Sequence, residues 1–283
     1  MGRKFMDMLN LEAWQGRVTN DAGSITPELA RQLHATVGLG KIPSHGDPLP
    51  PLWHWCAFPL STPNEQLGKD GHPRNTDLLP PVRLDRRMWA GGALKFHGPT
   101  LRIGDPLERR SSIRAVTEKQ GATGPMVFVT VDHAIYGPSG LAIEERQDIV
   151  YLEIPETFTP PRKTPLPSAP VEQIDTSETL LFRYSAVTFN AHRIHYDLPY
   201  TQQVEKYPGL VVHGPLQATL LMRAAVRARG SVPKYFDFRG VHPMFAGTSC
   251  DIAMETEDAV LSLWTGQNGH QCMQATAIWE DAQ

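Results

Sequence analysis

The chain has 283 residues, a formal net charge of −3, 41% hydrophobic and 20% charged residues. That describes a soluble globular protein of one large or two ordinary domains, with no apolar run of the roughly 18 residues a membrane-spanning helix needs and none of the basic excess expected of a nucleic-acid binder. Cys56, Cys250 and Cys272 are an odd number and widely separated, so neither a disulfide nor a metal site is implied.

The first segment, MGRKFMDMLNLEAWQGR, has basic residues but no apolar stretch behind them; it does not read as a secretory signal, and the cytoplasm is the expected location. Thr26 and Pro27 open TPELARQLHATVG as N-cap and first-turn residues and Gly38 closes it, which predicts a helix. Trp89 and the Gly91–Gly92 pair are assigned to packing and a bend. Arg109, Arg110 and Arg114 fall on a predicted strand and read as a solvated edge rather than a phosphate site. Met126 to His133 and Asp148 to Glu153 are rich in β-branched and aromatic residues, as are Ala259 to Thr265 and Gln271 to Trp279, which predicts antiparallel sheet.

Ile154 to Pro170, IPETFTPPRKTPLPSAP, holds six prolines and can be neither helix interior nor central strand. Residues 155–170 therefore read as an extended linker between an N-terminal unit, 1–154, and a C-terminal unit, 171–283. The two share a faint likeness. ALKFHGPTLRIGDPLERRSSIRAV and YFDFRGVHPMFAGTSCDIAMET both run from a strand through a Gly and Pro break to Gly104 or Gly247 and then to a second strand, a pattern that suggests a repeat.

Within the C-terminal unit, Tyr184 to Val187 is predicted as a short strand. After it Asn190, His192, Arg193, His195 and Asp197 form a cluster too polar to be core. The best-marked helix follows, with Pro215 in its first turn, Leu216, Leu220, Met222 and Ala224 in an apolar body, and Gly230 as its stop. His213 and Gly214 thus stand at the positive end of a buried helix, where free backbone N–H groups favour an anion or a developing oxyanion. An Asn and a His shortly upstream can hold a water or hydroxyl while that helix end polarises a carbonyl.

NAHRIH (Asn190 to His195) and VVHGP (Val211 to Pro215) resemble the MaoC-like hydratases, the (R)-specific enoyl-CoA hydratase group, whose motif is Asp-x-Asn-Pro-x-His followed by Val-His-Gly leading into a central helix. LEAWQGRV, PLWHWCAFP and DRRMWAGGALKFHGPTLRIGD extend the likeness toward 3-hydroxyacyl-thioester dehydratases and itaconyl- or mesaconyl-CoA hydratases. The resemblance implies an α+β double hotdog, two antiparallel sheets each wrapping a helix, with the N-terminal unit degenerate and the C-terminal unit carrying the motif. It further implies a hydro-lyase acting on an acyl-CoA, with no cofactor beyond the CoA thioester substrate, no nucleic-acid or membrane partner, and a homodimer.

His195, Asn190 and Gly214 are then the expected catalytic residues. His192, Arg193 and His213 are expected to bind substrate, although by its residues alone His213 reads first as a packing or capping residue whose neighbour Gly214 does the work. The sequence departs from the motif at one point: Asn190 stands at the position of its Asp and cannot take a proton, which leaves Asp197 or His192 as a substitute partner. A hotdog thioesterase and a non-catalytic acyl-thioester-binding module remain the alternatives.

Overall fold

The computed structural model describes residues 11–98, 100–121 and 124–280. The opening Met1–Asn10, read above as lacking an apolar leader, and Pro99 of the first Gly and Pro break lie outside them.

In chain order the regular elements of the first half are β1 (Val18–Gly23), α1 (Pro27–Val37), β2 (Arg86–Phe96), β3 (Leu107–Gly121), β4 (Gly124–Gly137) and β5 (Gly140–Leu152). Those of the second are β6 (Glu172–Asp175), α2 (Glu178–Val187), α3 (Leu198–Gln203), α4 (Gly214–Arg229), β7 (Tyr235–Gly240), β8 (Ser249–Glu257), β9 (Val260–Gln267) and β10 (His270–Ile278). They build one ten-stranded antiparallel sheet in the order β1-β3-β4-β5-β2-β7-β10-β9-β8-β6. Counted from its own outer strand, each half runs first-third-fourth-fifth-second. The fold is a double hotdog whose two sheets fuse edge to edge where β2 pairs with β7, Gly91 to Lys95 against Arg239 to Tyr235.

The repeat is written in backbone hydrogen bonds. Gly104 N–H donates to the Ile25 carbonyl at 2.9 Å and Gly247 N–H to that of Thr176 at 3.1 Å, both glycines having φ near +90° (93° and 90°), a region only glycine enters freely. The accepting residues precede the helix N-caps Thr26 and Ser177, whose hydroxyls accept from Leu29 N–H and Leu180 N–H. Likewise Leu49 N–H reaches the Leu101 carbonyl and Val212 N–H that of Met244. Beyond that point the halves diverge. After Val212 the chain enters α4, whereas after Leu49 it meets Pro50 and Pro51, then Leu52 at φ 70°, and makes only a short 3-10 turn, Trp53–Cys56. A left-handed residue behind two prolines cannot propagate a helix.

Ser177 caps a helix, so Tyr184 to Val187, predicted as strand, forms the last turn of α2. Leu181 and Tyr184 are spaced to face the core together, and this packing overrides the β preference of an isolated Tyr-Ser-Ala-Val. The proline-rich stretch has no helix or strand but is docked: Leu166 N–H donates to the Gly269 carbonyl and Gln271 N–H to that of Thr164.

α4 buries Leu216, Leu220, Leu221, Ala224 and Ala225 against β9 and β10. One core cluster runs from Leu33 of α1 through Leu94 of β2 to Phe236 and Phe238 of β7 and Leu263 of β9, crossing the β2/β7 seam. Among the described residues no helix is long and apolar enough to cross a membrane. Arg109 pairs with Asp21 of β1 and Arg114 with Asp132 of β4, while Arg110 is exposed; β3 is an interior strand, with β1 forming the edge beyond it.

Candidate active site

The polar cluster of the second half becomes a loop and a short 3-10 turn, Arg193–His195, between α2 and α3. His195 is buried, and its Nδ1 lies 2.7 Å from the Val211 carbonyl oxygen. Because a carbonyl only accepts, Nδ1 carries the hydrogen and Nε2 the lone pair. The same two segments are tied a second time, Val211 N–H donating to the Ile194 carbonyl at 2.9 Å. Burial pushes His195 down to about 4, opposed by the bond to Val211, so near neutral pH the ring is a neutral base.

His213 stacks on His195 with ring centroids 3.6 Å apart and planes 18° from parallel. Its own Nε2 is 2.8 Å from Ser185 Oγ on α2. Burial and the neighbouring His195 hold it well below the usual imidazole range. The next residue, Gly214, begins α4, and His213 gives it no side-chain cap. The first-turn N–H groups have no intrahelical carbonyl to bond. A methyl group on Gly214 would meet Met273 Cε and the Trp89 carbonyl only at 3.9 Å, ordinary contact. The protein's own packing therefore does not demand glycine there.

His192 is buried, its ring edge-on to His195 at 5.3 Å and its Nε2 without a partner; burial and the adjacent His72 keep it well below its ordinary pKa. The other three residues of the cluster bond within the loop and its neighbours. Asn190 Oδ1 accepts the His192 N–H at 3.0 Å. Arg193 donates through Nε and Nη2 to Asp197 and through Nη1 to the Lys69 carbonyl, and it covers the Tyr200 ring. Asp197 caps α3 through Tyr200 N–H. The structure thus brings His192, His195, His213 and Gly214 together, while Asn190, Arg193 and Asp197 shape their loop.

Sequence reasoning missed Asp70 and His72, whose turn packs on this loop. Asp70 Oδ2 is 2.7 Å from His72 Nδ1, and the His72 ring lies 4.1 Å from that of His192. A Lys-Asp-Gly-His run signals a turn; nothing local says where it docks. Trp89 and the glycines were expected at a bend before the strand. They form a bulge within β2, between Trp89 and Gly91, where a side chain at Gly91 would press on the Phe238 carbonyl.

Among the described residues two groups bring three potential metal donors within 4.8 Å of one another: His242, His270 and Cys272, and Asp70, His72 and His192. In the second, Asp70 and His72 are already bonded to each other, a hydrogen-bonded pair rather than an open donor set. A cavity of about 490 Å³ opens between α1 and the later turns of α4, lined by Trp53, Thr219 and Arg223 among others.

The family model for hydroxyacyl-thioester dehydratase type 2 matches residues 52–246, a span that includes Asp70, the motif loop and the start of α4. Mesaconyl-C(4)-CoA hydratase of Chloroflexus aurantiacus is 46% identical over 240 residues, 82% of this chain and 84% of that one. The chain belongs to the hydroxyacyl-thioester dehydratase type 2 family. It is a hydro-lyase, a hydratase/dehydratase of acyl thioesters. The mitochondrial hydroxyacyl-thioester dehydratase type 2 of Schizosaccharomyces pombe is 29% identical over 231 residues, 70% of this chain and 74% of that one. Among solved structures, HtdX of Mycobacterium tuberculosis superposes with a TM-score of 0.66 at 15% identity, covering 92% of this chain and 98% of that one. The MaoC-like dehydratase of Phytophthora capsici gives 0.65 at 12% identity, covering 94% and 97%. At such identities these likenesses speak for the dehydratase fold alone.

Proposed function

We propose that the chain adds water across the double bond of an enoyl-CoA, and removes it from the 3-hydroxyacyl-CoA in reverse, on a short branched dicarboxylic acyl group of the mesaconyl or itaconyl type, giving citramalyl-CoA. The observation that carries this reading is the pairing of His195, its Nδ1 hydrogen held by Val211 and its Nε2 lone pair available, with the uncapped start of α4 at Gly214 beside the stacked His213. His195 takes a proton from water as its oxygen bonds to the β-carbon. On a mesaconyl-C(4)-type substrate, whose double bond is conjugated with the thioester, the π electrons move toward the thioester carbonyl, whose oxygen is bonded by the Gly214 N–H, and the proton is returned to the α-carbon as the enolate collapses; an itaconyl-type substrate, unsaturated between its β- and γ-carbons, first loses an α-proton and gains one at the γ-carbon to reach that conjugated form. Atoms balance with one water consumed. The thioester itself acidifies the α-position, so the reading calls on no cofactor. The acyl preference leans on the 46% identity to a protein named mesaconyl-C(4)-CoA hydratase, and the cytoplasm is its proposed place.

The test is hydration of crotonyl-, itaconyl- and mesaconyl-CoA followed by loss of enoyl absorbance, with thiol release monitored in parallel, for the wild type and His195→Ala. Enoyl loss without thiol release, fastest with a dicarboxylic substrate and reduced about 10²–10⁴-fold in the variant, is the expected result. Thiol release, or turnover indifferent to the variant, overturns it.

A further inference from the structure

The motif loop gives its base no carboxylate. Asn190 occupies the Asp position, and Asp197 is taken up by Arg193 and the Tyr200 N–H. A carboxylate reaches the histidines from the other half of the molecule. Leu67 and Pro73 pair as an isolated bridge and close a turn that carries Asp70, Gly71 and His72. Backbone contacts fix this turn to the motif loop: Arg193 N–H donates to the Asp70 carbonyl at 2.8 Å, Arg193 Nη1 to the Lys69 carbonyl at 2.9 Å, and Gly71, at φ 91°, lies so close to the Ala191 carbonyl that a methyl group would collide with it.

The turn's side chains continue inward. Asp70 accepts the His72 N–H at 3.0 Å and the Nδ1 hydrogen at 2.7 Å, which fixes the His72 tautomer because a carboxylate only accepts. The His72 ring lies against His192 at 4.1 Å, and His192 meets His195 edge-on at 5.3 Å. His192 Nε2 is buried without a partner, an arrangement that is costly unless it serves something. Arg87 of β2 and Tyr151 of β5 also face this group, as do Tyr200 of α3 and Glu205, the latter paired with Arg86.

We propose that Asp70 and His72 are positioning residues of the active site: borne by the first half, they orient His192 against His195 and supply the negative charge that the motif loop lacks. That charge stabilises the imidazolium formed when His195 takes a proton from water, against the opposing cation of Arg87. The proposal rests on the reading of His195 as base.

Asp70→Asn separates chemistry from folding. Its side-chain oxygen can still accept the His72 N–H, but its amide nitrogen donates toward Nδ1, so the charge is lost and the His72 tautomer must reverse. The expected result is kcat down by about tenfold or more with KM changed less than about twofold. The acidic limb of kcat/KM should move to lower pH, because removing an anion makes the cluster harder to protonate. His72→Gln, which keeps the backbone cap, reads the same loss of kcat should the first variant fail to fold. Folded variants with kcat within about twofold of wild type, or with a lowered kcat but an unmoved acidic limb, overturn the proposal. Activity surviving in His195→Ala marks instead the failure of the reading on which it rests.

Discussion

Gly214 separates stability from function at a single residue. Neither its backbone conformation nor its protein neighbours require glycine, since a methyl group there has 3.9 Å of clearance. Gly214→Ala is therefore expected to fold and to gain about 0.4–1 kcal/mol by narrowing the unfolded ensemble. In the proposed mechanism the added methyl stands where the thioester approaches the helix start, so kcat/KM should drop on the order of 10²-fold, the weight of one oxyanion donor. Urea denaturation and steady-state kinetics on the same preparation check both halves; a variant as active as wild type would remove Gly214 from the oxyanion site. The places of His195 in the buried loop and Gly214 at the start of α4 were legible because motif and helix start are each contiguous in the chain. Asp70 was not: its relation to His192 exists only once a turn more than a hundred residues upstream has packed on the loop.

At the scale of elements, α4 was read from its sequence nearly to the residue, since Pro215 and Gly230 mark its ends and the apolar body between them has one use. Leu220 and Leu221 are fully buried in that body. Leu220→Ala should lower unfolding free energy by about 2–5 kcal/mol, seen as an earlier urea midpoint at unchanged slope; a loss below about 1 kcal/mol would mean the sheet collapses onto the vacated space. α2 was misread because four residues with two β-formers look like strand when the cap at Ser177 is ignored. The first half's degenerate helix was expected, but its replacement by the Trp53–Cys56 turn depends on the left-handed Leu52, which no residue type announces.

For the whole molecule, the sheet order and the core that crosses the β2/β7 seam make the halves one structure. The matching glycines Gly104 and Gly247 foretold the repeat; the edge-to-edge fusion needed the strand pairing. Fusion places the Asp70 turn on the motif loop and gathers His72, His192, His195 and His213 in one desolvated group, all with pKa values below the ordinary imidazole range. That has a consequence for stability. A histidine whose folded pKa lies below its unfolded value of about 6.5 makes the native state bind fewer protons, so its contribution is intact above that pH and is lost as pH falls toward the folded value, about 4 for His195. Each such group adds a slope of about 1.4 kcal/mol per pH unit within its window. Glu145, held at about 2 against its burial by bonds from His54 and Gln147, adds its own loss only at lower pH, below the ordinary carboxylate range. Urea midpoints measured from pH 7.5 to 4.5 should therefore fall steeply below about 6.5, and less steeply in His195→Gln, which removes one titrating ring. A midpoint that stays level through that interval would mean the four rings take up protons inside the fold, and the neutral base assigned to His195 would fall with it.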